Sequence, residues 1–389
     1  MKITAIKTIV VNADMRNWVF VKVETDQAGL IGWGEASLEW KTRSVVGAIE
    51  DFAPMAVGED PTRIEHLYQK LYRQSFWRMG VIGMSAISAI EQACWDIFGK
   101  SLGLPVYKLL GGAVRERVRM YTHLGGGSMK AVYETFDIAP LLDLAQQVIA
   151  KGYTALKVVF VPYSEPLMNV TYVKRLAQLM EKLRVAVGDG VDIMIDFHGR
   201  TYPAMAIQYI NALAEFNPFF CEEPVPPENV AALKQVREAV RVPIATGERL
   251  VTRHQFREIF EQQACHIIQP DLCHCGGLME GKRIAAMAEA YYMGVAPHNP
   301  LGPLANAVAL HFALSTPNFV IQEDMLSDVP WRWDVVEHSL KTHEGFWLKT
   351  EAPGLGVEVN ELEAAKHPFQ QEIIHSAGIR AADGAILDW

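Results

Sequence analysis

From residue 117 onward the chain repeats one pattern. A short apolar run rich in β-branched residues is followed by a longer stretch with apolar residues at three- and four-residue steps. The runs read RVRMYTHL (117–124), TALKVVF (154–160), VDIMIDF (191–197), PFFCEEP (218–224), VPIATGE (242–248), CHIIQPD (265–271), GVAPHN (294–299) and NFVIQED (318–324). Between them, segments such as LLDLAQQVIAKG (141–152) and MAIQYINALAEF (205–216) carry helical spacing. Gly152 and Gly294 stand where a helix should stop and the next strand begin. Strands alternating with helices predict parallel pairing. The span from 116 to 325 fits an α/β protein of the (β/α)8 barrel type. A doubly wound open sheet would want a G-x-G-x-x-G turn after its first strand. HLGGG (123–127) lacks that spacing and reads as a flexible loop.

The first 115 residues follow another pattern. Strand-like stretches at 2–12, 18–25 and 30–36 precede helical patterns near 43–55, 61–73 and 84–101. They predict an α+β domain in front of the barrel. Residues 326–389, with PGLGVEV (353–359), are too many for a barrel cap and are expected to return to that first domain.

Composition narrows the function. Of the 389 residues, 50% are hydrophobic and 21% charged, as in a globular protein, and the net charge of −9 argues against nucleic acid and anionic membrane as partners. No apolar run reaches the ~18 residues that span a bilayer. The opening MKITAIKTIVV alternates like a strand and lacks the features of a signal peptide. Five cysteines in a chain this long suggest a reducing compartment and a cytoplasmic location. Cys273, His274 and Cys275 suggest a metal cluster, but the spacing is poor for a structural zinc site and no second pair follows, so they read as packed thiols.

The chemistry gathers where strands end. The last polar residues of the runs are Lys157, Asp196 with His198, Glu222 with Glu223, Glu248, Asp271, His298 and Glu323. From Asp196 onward they recur every 23 to 27 residues, one barrel unit each, so they project at the C-terminal rim, where barrel active sites sit. Asp196 and His198 stand two apart in a strand, so both should face one place. Any one such carboxylate is as readily a helix cap, but several crowded at one rim repel each other, and a divalent cation relieves that repulsion. Asp196, Glu222 and Glu248 come from consecutive units and offer hard oxygen ligands, suited to one Mg²⁺ ion, or Mn²⁺ in its place. Glu223 alternates to the other side of its strand and reads as a supporting group. Asp271 beside His298 makes a dyad suited to proton abstraction, with His198 arriving from the far side. A substrate carboxylate held at the cation could lose its α-proton to one histidine.

The set ALKVV, IDFHGR, CEEP, TGER, QPDLCHCGG, APHNPLGP and IQED resembles the mandelate racemase subgroup of the enolase superfamily, and within it the sugar-acid dehydratases. The resemblance extends to VETDQAGLIGWGEA (23–36), SAISAIEQACWDIFGK (85–100) and PGLGVEV. It implies a modified (β/α)7β barrel whose α+β cap is built from the N-terminal region and the C-terminal tail. It implies Mg²⁺ ligands at Asp196, Glu222 and Glu248. His298, supported by Asp271, would take the C2 proton of an aldonate of the galactonate or gluconate type. His198 would act as general acid at C3, and Glu323 would hydrogen-bond the substrate carboxylate. The product would be a 2-keto-3-deoxy sugar acid. Racemases of this subgroup carry Lys-x-Lys on the second strand, whereas here the triplet is Lys157-Val158-Val159, which argues against a lysine–histidine racemase and leaves Lys157 as an electrostatic partner of substrate.

In the family the cap closes over the barrel mouth, and by position NADMRNW (12–18) and RQSFWRMG (73–80) would be its selecting loops. Trp18, Phe76, Trp77 and Arg78 could contact a polyol, and His123 and Arg200 lie near the rim. Relatives usually assemble, so a homo-oligomer is expected. Two other readings remain open: an epimerase, racemase or cycloisomerase on the same scaffold, and a non-catalytic barrel.

Overall fold

The computed structural model describes residues 1–125, 138–326, 328–374 and 378–388; residues 126 and 127 of the expected HLGGG loop lie outside these. Strands β1 (Ile3–Ala13), β2 (Arg16–Thr25) and β3 (Ile31–Glu35) form an antiparallel sheet in that order. At the β1–β2 turn Asp14 has φ +55° and its N–H donates to Asn12 Oδ1 at 3.3 Å, a conformation aspartate tolerates. Helices α1 (Thr42–Ala56), α2 (Ile64–Gln74) and α3 (Gly80–Leu102) cover one face of the sheet. A Cβ at Gly32 or Gly34 would lie 2.1 Å from the carbonyl oxygen of Ala93 or Ala89, so only glycine lets β3 lie this close to α3.

Each of the eight apolar runs holds a strand: β4 (Arg117–His123), β5 (Ala155–Val158), β6 (Asp192–Asp196), β7 (Phe220–Glu222), β8 (Ile244–Thr246), β9 (Ile267–Ile268), β10 (Gly294–Val295) and β11 (Gln322–Asp324). β4 to β10 pair in parallel in chain order, and β11 pairs with β4. The segment entering β11 meets β10 through Val295 and Phe319, which closes the ring and excludes an open sheet. After the short helix α4 (Val106–Leu109) come the outer helices α5 (Ala139–Ala150), α6 (Val170–Val187), α7 (Pro203–Leu213), α8 (Val230–Ala239), α9 (Thr252–Gln262), α10 (Gly277–Ala290) and α11 (Pro303–Ser315). Among the described residues the chain leaves β11 for the strands of the tail and not for an outer helix, so the barrel is (β/α)7β. Helix α11 is apolar nearly all round and is buried along its whole length, as such a helix must be.

Beyond β11, β12 (Val336–His338) pairs with β15 (Val357–Val359), and β13 (Thr342–His343) with β14 (Phe346–Leu348), which joins the first half of β4. Farther on, Trp33 Nε1 donates to Glu358 Oε2 at 2.7 Å and Asn12 N–H to His367 O at 2.8 Å. The tail therefore touches both the barrel and the N-terminal sheet.

The cap is fastened to the barrel by buried carboxylates at helix N-termini, where unpaired backbone N–H groups favour negative charge. Glu35 accepts from Gly302 N (2.7 Å) and Ala305 N (2.8 Å) at the start of α11. Glu91 of α3 accepts from Leu278 N and Met279 N, both at 2.9 Å, at the start of α10. All five cysteines are free and buried, and burial pushes the Cys273 and Cys275 thiols well above their usual range, which suits packing and not metal ligation. Among the described residues, no helix is long and apolar enough to cross a membrane.

Candidate active site

The barrel interior is plugged by one residue from, or directly beside, each strand: Tyr121, Ala155, Met194, Phe220, Ala245, Ile267, Ala296 and Ile321. Large and small side chains mix so that the layer fills. Two residues further along, the same inward face carries His123, Lys157, Asp196, Glu222, His298 and Glu323. The apolar plug is thus the floor of a polar layer. Strand β8 breaks the alternation. Gly247, at φ +141°, bends the chain so that Glu248 reaches the site.

Asp196, Glu222 and Glu248 converge, each offering an oxygen within 4.8 Å of the others. Glu222 Oε2 and Glu248 Oε2 are buried without a hydrogen-bond partner among the described residues, and Asp196 Oδ2 is buried beside Lys157 and His198. Three carboxylate oxygens gathered this closely, two of them without a donor, fit a hard divalent cation. Burial, and then the charge of Asp196, push the Glu222 carboxyl well above its usual range. Burial also works against ionised Asp196, but His198 and Lys157 outweigh it and hold that carboxyl well below.

Lys157 supplies countercharge beneath this cluster. Buried on β5, its Nζ lies 2.7 Å from Glu323 Oε1, 3.0 Å from Glu222 Oε1 and 3.3 Å from Asp196 Oδ2. Burial alone would lower its pKa, but Glu222 and Glu323 raise it well above the ordinary lysine value, so it stays protonated. Glu323 also accepts from Asn299 N at 2.9 Å, and Lys157 followed by His298 hold it low against the effect of burial.

The imidazoles flank the cluster. His298 Nδ1 lies 2.8 Å from Asp271 Oδ2, which leaves Nε2 3.6 Å from Glu248 Oε2 and facing the cavity. His198 Nε2 lies 3.1 Å from Asp196 Oδ2. His198 comes to this place by a different route from the one its spacing suggests. β6 ends at Asp196, and His198 sits in a turn at φ +50°, its N–H donating to Asp196 Oδ1 at 2.8 Å. Glu223 points away, accepting from Thr246 Oγ1 (3.1 Å) and Arg249 Nε (2.6 Å).

Lys157, Asp196, His198, Glu248, His298 and Glu323 line a cavity of about 570 Å³. His123 is in its wall; Gly125 N–H donates to its Nδ1 at 2.8 Å, and burial followed by Lys157 lowers its pKa to about 4. Arg200 is buried just outside, donating to Val161 O at 3.1 Å, with Nη2 3.5 Å from His198 Nδ1. The expectation for the cap aromatics is corrected. Trp18 is fully buried, stacked on Phe20 and beneath the Arg332 guanidinium, because β2 turns it into the core. Trp77, 76% exposed and edge-on to Phe76, and Arg78, over the Tyr72 ring, do not line the cavity either. The cap instead contributes Met15, Arg16, Leu38, Glu39 and Trp40. Met15 and Arg16 fall within NADMRNW (12–18), expected from the family resemblance to be a selecting loop, whereas Leu38, Glu39 and Trp40 follow β3 and carried no signal in the sequence. His274, also in the wall, had a signal, the CHC triplet, which pointed toward metal ligation instead.

Comparison with known proteins bears on both lobes of the chain. Residues 141–363 match the family described as enolase C-terminal domain-like, and residues 2–111 match the mandelate racemase/muconate lactonizing enzyme N-terminal domain. The chain is 37% identical to a D-galactonate dehydratase of Verminephrobacter eiseniae and 38% to one of Xanthomonas campestris pv. campestris, each over 395 residues and 100% of both chains. A mandelate racemase/muconate lactonizing enzyme-like protein from Roseovarius sp. TM1035 superposes with a TM-score of 0.88 at 36% identity, covering 96% of this chain and 97% of that one. A member of the enolase superfamily from Salmonella Typhimurium superposes at 0.87 with 33% identity, covering 94% and 98%. Both lobes and the whole length being matched, this chain is an enzyme that belongs to the mandelate racemase/muconate lactonizing enzyme family of the enolase superfamily.

Proposed function

We propose that this enzyme is a divalent-cation-dependent sugar-acid dehydratase acting on an aldonate. The observation that carries the reading is the flanking of one carboxylate cluster by His298, beside Glu248, and His198, beside Asp196. When bound by Asp196, Glu222 and Glu248, Mg²⁺ or Mn²⁺ would supply a Lewis acid that offsets charge developing on the substrate carboxylate. His298 Nε2 takes the C2 proton, its other nitrogen fixed by Asp271. Lys157 attracts and orients the carboxylate end, and Glu323, which accepts from Lys157 and from Asn299 N, holds that lysine in place. As the C2–C3 double bond forms and the C3–O bond breaks, His198 gives a proton to the departing hydroxyl, which leaves as water. The enol formed takes a proton at C3 and becomes the 2-keto-3-deoxy acid.

Two features favour this over an epimerase. Lys157 is held protonated by three carboxylates, and position 159 is valine, so no lysine stands ready as a second base. The outer wall favours a chain ending in a hydroxyl over one ending in a second carboxylate. Its two guanidinium groups are already engaged, Arg16 with Glu39 at 2.5 Å and Arg249 with Glu223 at 2.5 Å, and Glu228 and Asp388 add acceptors. The test is a panel of aldonates and aldarates with Mg²⁺, read by keto-acid formation. Conversion of an aldonate supports the reading. Deuterium entry at C2 without loss of water would favour the epimerase, and no conversion across the panel would reject the dehydratase.

A further inference from the structure

Asp271 meets a second imidazole that the reaction above does not use. His274 is buried in the cavity wall, with Nε2 3.6 Å from Asp271 Oδ2 and Nδ1 2.9 Å from Ser85 Oγ. Asp271 Oδ2 is the same oxygen that faces His298 Nδ1, while Oδ1 accepts from Cys273 N at 2.7 Å. Ser85 lies on α3, in the cap, with its hydroxyl 2.8 Å from Val81 O. When that hydroxyl turns its proton to His274 Nδ1, the ring N–H is on Nε2, the side of Asp271, and the imidazole can hold the carboxylate.

The same face of α3 grips the rest of this loop, as side chains three and four apart on a helix can. Ser88 Oγ accepts from Gly276 N at 3.0 Å, and Gln92 Nε2 donates to Leu272 O at 3.0 Å. Glu91 holds the start of α10. The loop that carries Asp271 is thus built jointly by the barrel and the cap. A base histidine needs one ring orientation and one tautomer, and its carboxylate partner supplies both. That carboxylate must itself be held, because the terminal torsion of aspartate is soft.

We propose that His274 is a positioning residue for proton abstraction: it holds the Asp271 carboxylate against His298, and Ser85 ties that hold to the docked cap. This rests on the sugar-acid reading of the site. The test compares His274→Ala, His274→Gln and Ser85→Ala with the wild type, each loaded with Mg²⁺ and given the best aldonate. His274→Ala is expected to lower kcat and C2–H exchange together, by about 10- to 100-fold as for other groups that orient a catalytic histidine. KM and Tm should stay close to wild type. Glutamine, which keeps a side-chain N–H, should restore part of the loss, and Ser85→Ala should lose less in the same direction. Exchange within about twofold of wild type in folded His274→Ala overturns the proposal. Where that variant does not fold, unchanged exchange in Ser85→Ala overturns it. A crystal structure of the variant gives a second reading that needs no turnover. The Asp271–His298 contact should lengthen past hydrogen-bond distance, about 3.5 Å. Its retention would count against His274 even if every sugar acid proved inert, an outcome that would separately remove the functional reading.

Discussion

Glu222 divides its carboxylate between two tasks: Oε1 receives Lys157 Nζ at 3.0 Å, while Oε2 is left without a hydrogen-bond donor inside the carboxylate cluster. The first oxygen is anchored so that the second can ligate. Glu222→Gln keeps the shape and removes the charge. Its affinity for Mg²⁺, measured by titration calorimetry, is expected to fall at least about tenfold, and the rise in Tm expected of the wild type on adding Mg²⁺ should be lost. An affinity equal to wild type would show that the cation, if any, binds elsewhere.

In the proposed reaction Lys157 serves as the countercharge of the cluster and not as a base. Lys157→Met leaves Glu222, Glu323 and Asp196 facing one another, buried and uncompensated. Loss of one partner of a buried charge group costs about 3–5 kcal/mol. Urea unfolding without divalent cation should show a loss of that order, partly recovered when Mg²⁺ is added. A variant as stable as wild type would mean that the carboxylates share protons without needing the lysine.

The two flanking histidines should separate by step. His298→Asn is expected to abolish deuterium entry at C2, since its Nε2 is the only proton acceptor assigned there. His198→Asn should block loss of water while leaving C2 exchange measurable by NMR. Equal loss of exchange in both variants would contradict the division of labour.

His311, inside α11, is buried and accepts from Tyr107 N at 3.2 Å through Nδ1, with Nε2 3.2 Å from Leu355 O. Burial lowers its pKa to about 4, so below neutrality the unfolded chain, with an ordinary histidine, binds the proton that the native state refuses. This histidine's contribution to stability is complete above about pH 6.5 and is lost as the pH falls toward 4, up to about 3 kcal/mol in all. His311→Gln should flatten that part of the stability–pH curve measured by chemical denaturation. A slope identical to wild type would place the acid sensitivity in other groups.

The strand-and-helix alternation and the inward residues of β5, β6, β7, β10 and β11 were legible in the sequence. Period-two burial and a constant repeat are properties of the chain itself, so Lys157, Asp196, Glu222, His298 and Glu323 announce themselves by spacing. What spacing cannot carry is a departure from regular backbone. His198 faces the site through a left-handed turn, and Glu248 through the bend at Gly247, neither of which follows from alternation. The cap was still less legible. Trp18 suits a sugar by its chemistry but is turned into the core by its strand, whereas Arg16 reaches the cavity from the very start of that strand and Glu39 and Trp40 from the turn after β3. The sequence alone determined the repeating units and which side of each strand is polar, because those follow from local geometry. Only the tertiary structure decided which cap loops meet that polar rim, and that α3 and His274 stand behind Asp271, because contacts between segments distant in the chain are fixed by packing.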